Sequence, residues 1–535
     1  MIKELGVMIN CSQEAVRTIE GLKRLIGHVK LMGYTYVMLY TEDTYEIEDE
    51  PFFGYLRGRY SKTEIKEIVE YCQKIDIEVV PCIQTLGHLK TVLQFEAFSD
   101  VKNTEDTLLV GCEKTYELIE KMIRTCAECF LSKRINVGMD EAESLALGKY
   151  LKLHGQKNGF EVLLYHIKRV AEIAKKYGFE PFMWSDMLFK LARGYYYSLN
   201  DDMPLWVIEE FKKTGMNLIF WDYFEDEKLY DSMIKQHERF GAEIWFAGTA
   251  CNWIGFATSN FHSLEKTRMA INSCEKAGIT NFLQTLWGGT RCSDYAVLPT
   301  LFFTAEYARG NRDIQSIKQK FNELFEESWD DFMLFDMILP DSIKITDDIT
   351  SGGFQYLVAD PFLSKFDSTI TNEGLEAEVY KKYAQKFKNA EMRSKKFKQI
   401  FAKHAAYAKV LSLRYNLGVK TRKAYKNKDL VSLKNIVVEF DNTIKAMQEF
   451  ITIFKQVFFS EMKGHGYCVF DMRFGGVLAR LQTCRARLVD YLNKNIERIE
   501  ELETDVIDYY GNKEFEKRIP ADCANFNSLV TVDRL

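Results

Sequence analysis

Two adjacent carboxylates, Asp140 and Glu141, follow a short apolar segment in the stretch RINVGMDEAES. Neighbouring side chains within a strand point to opposite faces, but at a strand end the backbone can turn and bring both to one pocket. Two like charges in one pocket move their pKa values apart, so that one group is protonated and the other ionised. Such a pair suits an acid and a stabilising anion that act on the same bond. A solvated surface pair is the alternative interpretation.

Aromatic residues recur near the ends of other predicted strands. Four of the 7 tryptophans lie there with acids and a tyrosine: Trp184, Asp186, Trp221, Asp222, Tyr223, Trp253 and Trp287. One tryptophan alone is typical of a core, but a cage of rings beside acids suits a sugar, whose apolar faces stack while its edges form hydrogen bonds. His88 follows the third predicted strand and could orient an acid or touch the ligand, although a lone histidine is more often structural. No second histidine stands at ligand spacing, so we expect no metal and no cofactor.

These residues need a scaffold that brings strand ends together. Short β-branched and aromatic runs alternate with helical patterns, and the runs span residues 4–10, 34–40, 77–83, 134–139, 179–184, 216–222, 242–248 and 280–287. Apolar strands between helices predict a parallel sheet covered by helices, and eight such units predict a (β/α)8 TIM barrel with its chemistry at the C-terminal strand ends. A doubly wound sheet is the alternative, but the first predicted strand runs into NCSQEAV without the glycine-rich turn of dinucleotide-binding sheets.

The pattern changes after about residue 340. From residue 374 onward, apolar residues recur every three or four positions with Glu and Lys between them. We therefore predict a catalytic barrel over residues 1–340 and an all-α C-terminal domain over residues 341–535. The lysine-rich run 381–399 is interpreted as a solvated helix face rather than a polyanion site. Cys126 and Cys129 form a C-x-x-C within a predicted helix, where we expect a structural role rather than metal or redox chemistry.

Composition narrows the class of protein. The chain has 535 residues, 47% of them hydrophobic, and a formal net charge of −6 without a basic block, which disfavours a nucleic-acid partner. The N-terminus lacks the pattern of a secretory signal, and no run approaches the ~18 apolar residues of a membrane span. We expect a cytoplasmic protein with reduced cysteines and no membrane partner. The helical tail is compatible with a homodimer.

The segments VGMDEA and TLGHL, together with the tryptophans, resemble glycoside hydrolase family 20, the β-N-acetylhexosaminidases. The resemblance is strongest to the bacterial subgroup that starts with the barrel and ends in a helical domain. In that family a short strand precedes G-x-D-E, the third-strand segment ends in G-H, and tryptophans after strands five, seven and eight form an acetamido pocket. The resemblance implies an exo-β-N-acetylhexosaminidase that releases N-acetylglucosamine or N-acetylgalactosamine from small oligosaccharides or glycoconjugates.

The resemblance also implies a role for each residue. Glu141 would act as general acid and then base, while the 2-acetamido oxygen of the substrate attacks the anomeric carbon in place of a protein nucleophile, with retention of configuration. Asp140 would orient the acetamido N–H, and Tyr223 would donate to the acetamido oxygen. The acetyl methyl would be enclosed by Trp184, Trp253 and Trp287. The remaining residues expected to bind the substrate are His88 and Asp222.

Several positions depart from the family pattern. The first strand of the family ends with an Asp and an Arg that hold sugar hydroxyls, where this chain has Asn10 and Gln13. Glu143 stands where relatives often have His, and Gly289 where an acid usually follows the last Trp, although Asp294 is near. Each lost charge-assisted bond weakens binding of ordinary N-acetylglucosamine by about 1.5–3 kcal/mol. We therefore expect either a substituted or epimeric sugar, or compensation by other residues.

Three alternatives stay open on the sequence alone. Arg291, beside Trp287, could bind an anionic substituent, although a structural salt bridge is the preferred interpretation. The protein could be a carbohydrate-binding family member with little or no turnover. It could also be a barrel glycosidase with a conventional nucleophile and no acetamido requirement.

Overall fold

The computed structural model describes residues 1–338, 352–370 and 374–511. Eight parallel strands close into a barrel in sequence order, which confirms the predicted (β/α)8 barrel and makes the doubly wound alternative wrong. The strands are β1 Glu4–Asn10, β2 Tyr36–Tyr40, β3 Glu78–Cys82, β4 Arg134–Asn136, β5 Glu180–Trp184, β6 Asn217–Trp221, β7 Ile244–Thr249 and β8 Asn281–Leu286.

Most of the described chain outside the strands is helical. The barrel helices are α1 Ile19–Leu31, α2 Lys62–Lys74, α3 Lys90–Leu93, α4 Glu113–Cys129, α5 Gly148–His154, α6 Gly159–Lys176, α7 Asp186–Arg193, α8 Leu205–Lys212, α9 Glu227–Glu238, α10 Asn260–Ala277, α11 Leu298–Ala308, α12 Ile314–Phe325 and α13 Trp329–Phe332. The C-terminal helices are α14 Phe354–Val358, α15 Leu375–Arg393, α16 Lys398–Arg414, α17 Leu417–Lys426, α18 Leu430–Glu461, α19 Tyr467–Leu492 and α20 Glu500–Glu503. Within the described ranges, no helix has the length and apolar character needed to cross a membrane.

Side chains fill the barrel interior, so the barrel is a packed core rather than a pore. The interior cluster includes Met8, Tyr36, Val80, Phe182, Ile219, Trp245 and Leu283. Arg134 closes the N-terminal end of the barrel, where its guanidinium lies 4.9 Å from the ring centres of both Tyr36 and Trp245. With this end closed by an ion-paired arginine, the C-terminal end is the one left to form a pocket.

The C-terminal helices pack directly on the barrel. Glu327, at the end of the barrel region, accepts hydrogen bonds from the backbone N–H groups of Lys395 and Lys396 (2.8 and 2.7 Å) and so holds the turn between α15 and α16. On the opposite flank, buried Arg17 forms an ion pair with Glu461 at the end of α18 (3.2 Å). The helices are therefore anchored to the barrel by buried polar contacts. The predicted domain boundary at residues 340 and 341 lies outside the described residues.

Two further predictions fall on these helices. Lysines of the run 381–399 are exposed and pair with acids, as in Lys381–Glu378 (3.2 Å) and Lys388–Glu391 (2.8 Å), which agrees with a solvated helix face. Cys126 and Cys129 are buried as free thiols on α4. Burial raises the pKa of both thiols, which makes them poor nucleophiles.

Candidate active site

Strand β4 is shorter than predicted because the chain bends after Asn136. The Asn136 side chain accepts a hydrogen bond from the Gly138 N–H (2.9 Å), and Gly138, Met139 and Glu141 have φ angles of 76°, 73° and 50°. Non-glycine residues rarely adopt positive φ, so such backbone strain is typical of functional sites. The bend brings neighbouring side chains together: Asp140 and Glu141 both line one cavity of about 510 Å³.

The cavity collects nearly all of the site residues predicted from the sequence. It lies at the C-terminal ends of the barrel strands, and its lining includes His88, Asp140, Glu141, Trp184, Tyr223, Trp253 and Trp287. Trp184 is the last residue of β5, and the others come from the loops after β3, β4, β6, β7 and β8. The structure therefore brings together side chains as far apart in the chain as His88 and Trp287, which are 199 positions apart, as expected if the strand ends share one rim.

Asp222 is the exception and corrects one prediction. It is buried and is not part of the cavity lining; its Oδ1 accepts hydrogen bonds from the backbone N–H groups of Phe224 (2.9 Å) and Glu225 (3.0 Å). Burial raises the pKa of Asp222 to about 7, against the effect of these two bonds. Asp222 thus holds the turn that carries Tyr223 and is not itself placed to bind substrate.

Asp140 is held in its ionised form. It is buried, which alone would raise the pKa of its carboxyl group. Two partners outweigh burial: the Gln84 amide donates to Oδ1 (2.8 Å), and His88 Nε2 lies 3.2 Å from Oδ2, so the pKa of Asp140 is lowered. For His88, burial lowers the pKa, but the nearby carboxylates, Asp140 first among them, raise it to about 10. An imidazolium–carboxylate pair therefore lies at the cavity wall.

Glu141 has the opposite tendency. Burial and the charge of Asp140 raise the pKa of Glu141, although its side chain is 53% exposed at the cavity and lies 3.6 Å from His88 Nε2. Its backbone N–H donates to Asp186 Oδ2 (3.0 Å), which fixes the strained turn. Asp186 itself is fully buried, and burial together with Asp140 raises its pKa to about 7. The pKa of Asp140 is thus lowered and that of its neighbour Glu141 is raised, the opposite shifts that the sequence predicts for two acids in one pocket.

Aromatic side chains line the same cavity as the acid pair. The Trp287 indole N–H donates to the Tyr223 hydroxyl (2.9 Å), which orients that hydroxyl in the cavity. The ring centres of Trp184 and Trp287 are 6.2 Å apart, and those of Tyr223 and Trp253 are 5.8 Å apart. Tyr40 packs edge-on against Trp287 with centres 4.9 Å apart. This cage can stack on apolar faces of a sugar or enclose a small apolar group.

Two polar residues of the site were missed in the sequence. Gln84, which holds Asp140, lies on the segment after β3 and carries no distinctive motif. Glu42 lines the cavity from the loop after β2, is 5% exposed, and has a pKa raised to about 7 by burial. A signal for Glu42 was present, because the pair Glu42–Asp43 follows β2 just as the pair at 140–141 follows β4.

Contacts of Asn10 and Asp294 bear on two departures from the family pattern. The Asn10 amide donates to the Trp287 carbonyl (2.9 Å), and its Oδ1 accepts from the Ser12 backbone N–H (2.9 Å), so Asn10 ties β1 to the loop after β8. Asp294 accepts from Arg17 (2.5 Å) and from the Asn252 amide (2.6 Å) and is buried. Asp294 is therefore not free to replace the acid missing at Gly289.

Arg291 corrects a second prediction. Its side chain lines the cavity, and among the described residues no carboxylate lies within 4 Å of the guanidinium. The structural salt bridge preferred from the sequence is thus not found in the described part of the chain.

A closed parallel barrel with an acid–anion pair and an aromatic cavity at its C-terminal rim is the arrangement of a carbohydrate-hydrolysing barrel enzyme. Two family models match the chain: the glycosyl hydrolase family 20 catalytic domain over residues 35–229, and the Glycoside Hydrolase 20C C-terminal domain over residues 331–520. Together these matches cover more than half of the chain. The chain belongs to glycoside hydrolase family 20.

Individual relatives are more distant. Hexosaminidase D of Bos taurus is 27% identical over 245 residues, which is 43% of this chain and 66% of that protein. Hexosaminidase D of Homo sapiens is 24% identical over 239 residues, 42% of this chain and 47% of that protein. The chain therefore spans about half to two thirds of the length of these relatives.

Solved structures with detectable likeness include two from bacteria. The β-N-acetylhexosaminidase from Bacteroides fragilis NCTC 9343 is 18% identical, with 61% of this chain and 70% of that chain covered and a TM-score of 0.47. The GH20 exo β-N-acetylglucosaminidase from Vibrio harveyi, in complex with N-acetylglucosamine, is 15% identical, with 63% and 59% covered and a TM-score of 0.45.

Proposed function

We propose that the protein is an exo-β-N-acetylhexosaminidase that releases a terminal N-acetylhexosamine from small oligosaccharides or glycoconjugates by substrate-assisted, retaining hydrolysis. The observation that carries the proposal is the pair Asp140 and Glu141, whose pKa values are shifted in opposite directions and whose side chains line one aromatic cavity. Opposite pKa shifts separate the roles of acid and anion.

Glu141 is the proton donor in this proposal. Its raised pKa keeps a proton available, and its partly exposed carboxyl group can reach the glycosidic oxygen of a bound sugar. Loss of that proton to the leaving group makes Glu141 a base, which then activates the water that completes hydrolysis.

Asp140 acts on the internal nucleophile of the substrate. A buried, ionised carboxylate can accept the acetamido N–H and stabilise the positive charge that develops as the acetamido oxygen attacks C1. Tyr223, oriented by Trp287, can donate to the acetamido oxygen. The rings of Trp184, Trp253 and Trp287 supply an apolar wall for the acetyl methyl. No protein nucleophile is needed in this scheme.

The proposed exo action requires a wall on the side of the cavity away from Glu141, and the joined loops of β1 and β8 are suited to supply it. Strands β8 and β1 are neighbours, and the bond from Asn10 to the Trp287 carbonyl joins their loops. Glu141 follows β4, across the barrel. A sugar chain that enters on the Glu141 side therefore meets a joined wall, which favours binding of a terminal residue.

The test is a set of initial rates on aryl β-glycosides: N-acetylglucosaminide, N-acetylgalactosaminide and glucoside. We expect turnover only where the 2-acetamido group is present, release of the β-anomer when the reaction is followed by NMR, and tight inhibition by a thiazoline mimic of the cyclised intermediate. Comparable turnover of the glucoside would contradict the substrate-assisted scheme and indicate a protein nucleophile. Saturable binding of sugar without turnover of any substrate would indicate a binding protein.

A further inference from the structure

Arg291 is positioned by the C-terminal helices. It lies on the loop between β8 and α11, and its backbone carbonyl accepts a hydrogen bond from Lys403 Nζ of α16 (2.9 Å). Two residues further, the Ser293 hydroxyl donates to Glu461 of α18 (3.0 Å). Lys403, Ser293 and Glu461 are all buried. The helical region thus fixes the backbone of this loop while the Arg291 guanidinium lines the cavity.

No described residue neutralises the charge of Arg291. In residues 1–338, 352–370 and 374–511, no carboxylate is within ion-pair distance of it. The acids on nearby segments have other partners: Asp294 pairs with Arg17, and Glu14 accepts from the Thr290 hydroxyl (3.1 Å). The Arg291 guanidinium is half-buried in a ligand cavity, and its N–H groups donate to no described residue. It is therefore well suited to bind an oxyanion, because its planar donor fork matches sulfate and phosphate geometry.

The position of Arg291 around the barrel indicates which part of the sugar it meets. Glu141 follows β4 and Arg291 follows β8, so the two lie on opposite sides of an eight-stranded barrel. In the proposed function, Glu141 is beside the glycosidic oxygen on C1. Because C1 and C4 are at opposite ends of a pyranose ring, the side of Arg291 faces C4 and the substituents next to it, including the C6 group.

We propose that Arg291 binds an anionic ester group, sulfate or phosphate, on O4 or O6 of the terminal N-acetylhexosamine. The inference rests on the proposed function and names its substrate class. The neutral residues Asn10 and Gln13, which line the same side of the cavity, favour this ligand, because acids there would repel an anion. Among the acids that line the cavity, Glu42 is the nearest to Arg291 in strand order, and burial raises its pKa to about 7, which weakens its repulsion of an anion near neutral pH.

The experiment compares kcat/KM for 4-nitrophenyl N-acetyl-β-glucosaminide with its 6-sulfate and 6-phosphate, and for the galactosaminide with its 4-sulfate. At low ionic strength we expect at least one ester to be preferred by roughly 10- to 100-fold, the value of one charge-assisted contact. Arg291→Gln should bring this ratio towards one, and Arg291→Lys should keep part of it. Added NaCl should lower the ratio in the wild-type protein. Arg268→Gln, at an exposed arginine of α10, is the matched control and should leave the ratio unchanged.

Each outcome decides a different point. Preference for the sulfate or for the phosphate identifies the ester, and either result supports the inference. Turnover of the unsubstituted glycosides with no preference for any ester overturns the inference and leaves the proposed function standing. No turnover of any acetamido glycoside by folded protein overturns the proposed function and the inference with it. If Arg291→Gln does not fold, the ester ratios and salt series of the wild-type protein decide the matter.

Discussion

Replacement of His88 by glutamine should shift the whole pH profile of the enzyme to higher pH. His88 Nε2 lies 3.2 Å from Asp140 and 3.6 Å from Glu141, so its positive charge lowers the pKa of both acids. Glutamine keeps a polar side chain of similar reach but removes the charge. Both catalytic acids should then titrate at higher pH.

The size of the shift follows from these distances. An opposite charge within about 4–6 Å lowers the pKa of a carboxyl group by about 1–3 units. His88 is 31% exposed, so solvent screens part of its field. We therefore expect a shift at the lower end of this range, about 1 pH unit, for each limb of the pH profile. In the proposed mechanism, the acid limb of kcat/KM reports ionisation of Asp140, and the basic limb reports loss of the Glu141 proton.

The same variant should be less stable. Removal of one partner from a fully buried ion pair costs about 3–5 kcal/mol, and the partial exposure of His88 reduces our expectation to about 2 kcal/mol. The pKa of His88 is raised from 6.5 to about 10, so its stabilisation is fully present below about pH 6.5 and is lost as pH rises through about 10. The pKa of Asp140 is lowered, so its contribution is lost as pH falls below its usual value of 3.8. The difference in free energy of unfolding between His88→Gln and the wild-type protein should therefore be largest between about pH 4 and 6.5.

The assay combines kcat/KM from about pH 3 to 10 with urea unfolding at pH 5, 7 and 9. His154→Gln is the matched control, because His154 is an exposed histidine at the end of α5. An unshifted profile in His88→Gln, with a free energy of unfolding equal to that of the control at pH 5, would refute the account of the acid pair. If His88→Gln is less stable but its pH profile of kcat/KM is unchanged, the role of His88 is purely structural.

Three other substitutions test separate parts of the structure. Glu141→Gln should lower kcat/KM by about 10²–10⁴-fold for a disaccharide and far less for a dinitrophenyl glycoside, whose leaving group needs no proton. Tyr223→Phe should lower kcat by about 10²–10³-fold on acetamido substrates, since one donor to the developing charge is lost. Arg17→Met should lower the free energy of unfolding in urea by about 3–5 kcal/mol, because it leaves Asp294 and Glu461 buried without their cation.

Controls for these substitutions are available in the same chain. Equal losses of rate by Glu141→Gln on both kinds of leaving group would contradict its role as proton donor. Wild-type kcat in Tyr223→Phe would remove that hydroxyl from the mechanism. Arg268→Met, at an exposed arginine, is the control and should have the free energy of unfolding of the wild-type protein. If Arg17→Met is also as stable as the wild type, the buried ion pairs are not needed for folding.

Much of the fold and part of the site could be predicted because a parallel barrel leaves little freedom. Alternating strands and helices predicted eight strands, and the structure has them in order, with β1 at the predicted bounds Glu4–Asn10. Since all strand ends meet at one rim, residues at those ends had to be neighbours. This reasoning placed His88, Glu141 and Trp287 in one cavity without any knowledge of loop structure.

Side-chain direction on the loops and contacts between distant segments were decided only by the tertiary structure. Asp222 and Tyr223 are adjacent, yet one holds a turn and the other lines the cavity, because loop backbone has no fixed alternation from which direction can be predicted. Arg17 meets Glu461 across 444 positions, and that pairing occupies Asp294 as well. Sequence spacing determined which residues reach the rim. Which of them face the substrate depends on backbone turns and on partners supplied by the helical region, and those become defined only when the whole chain is packed.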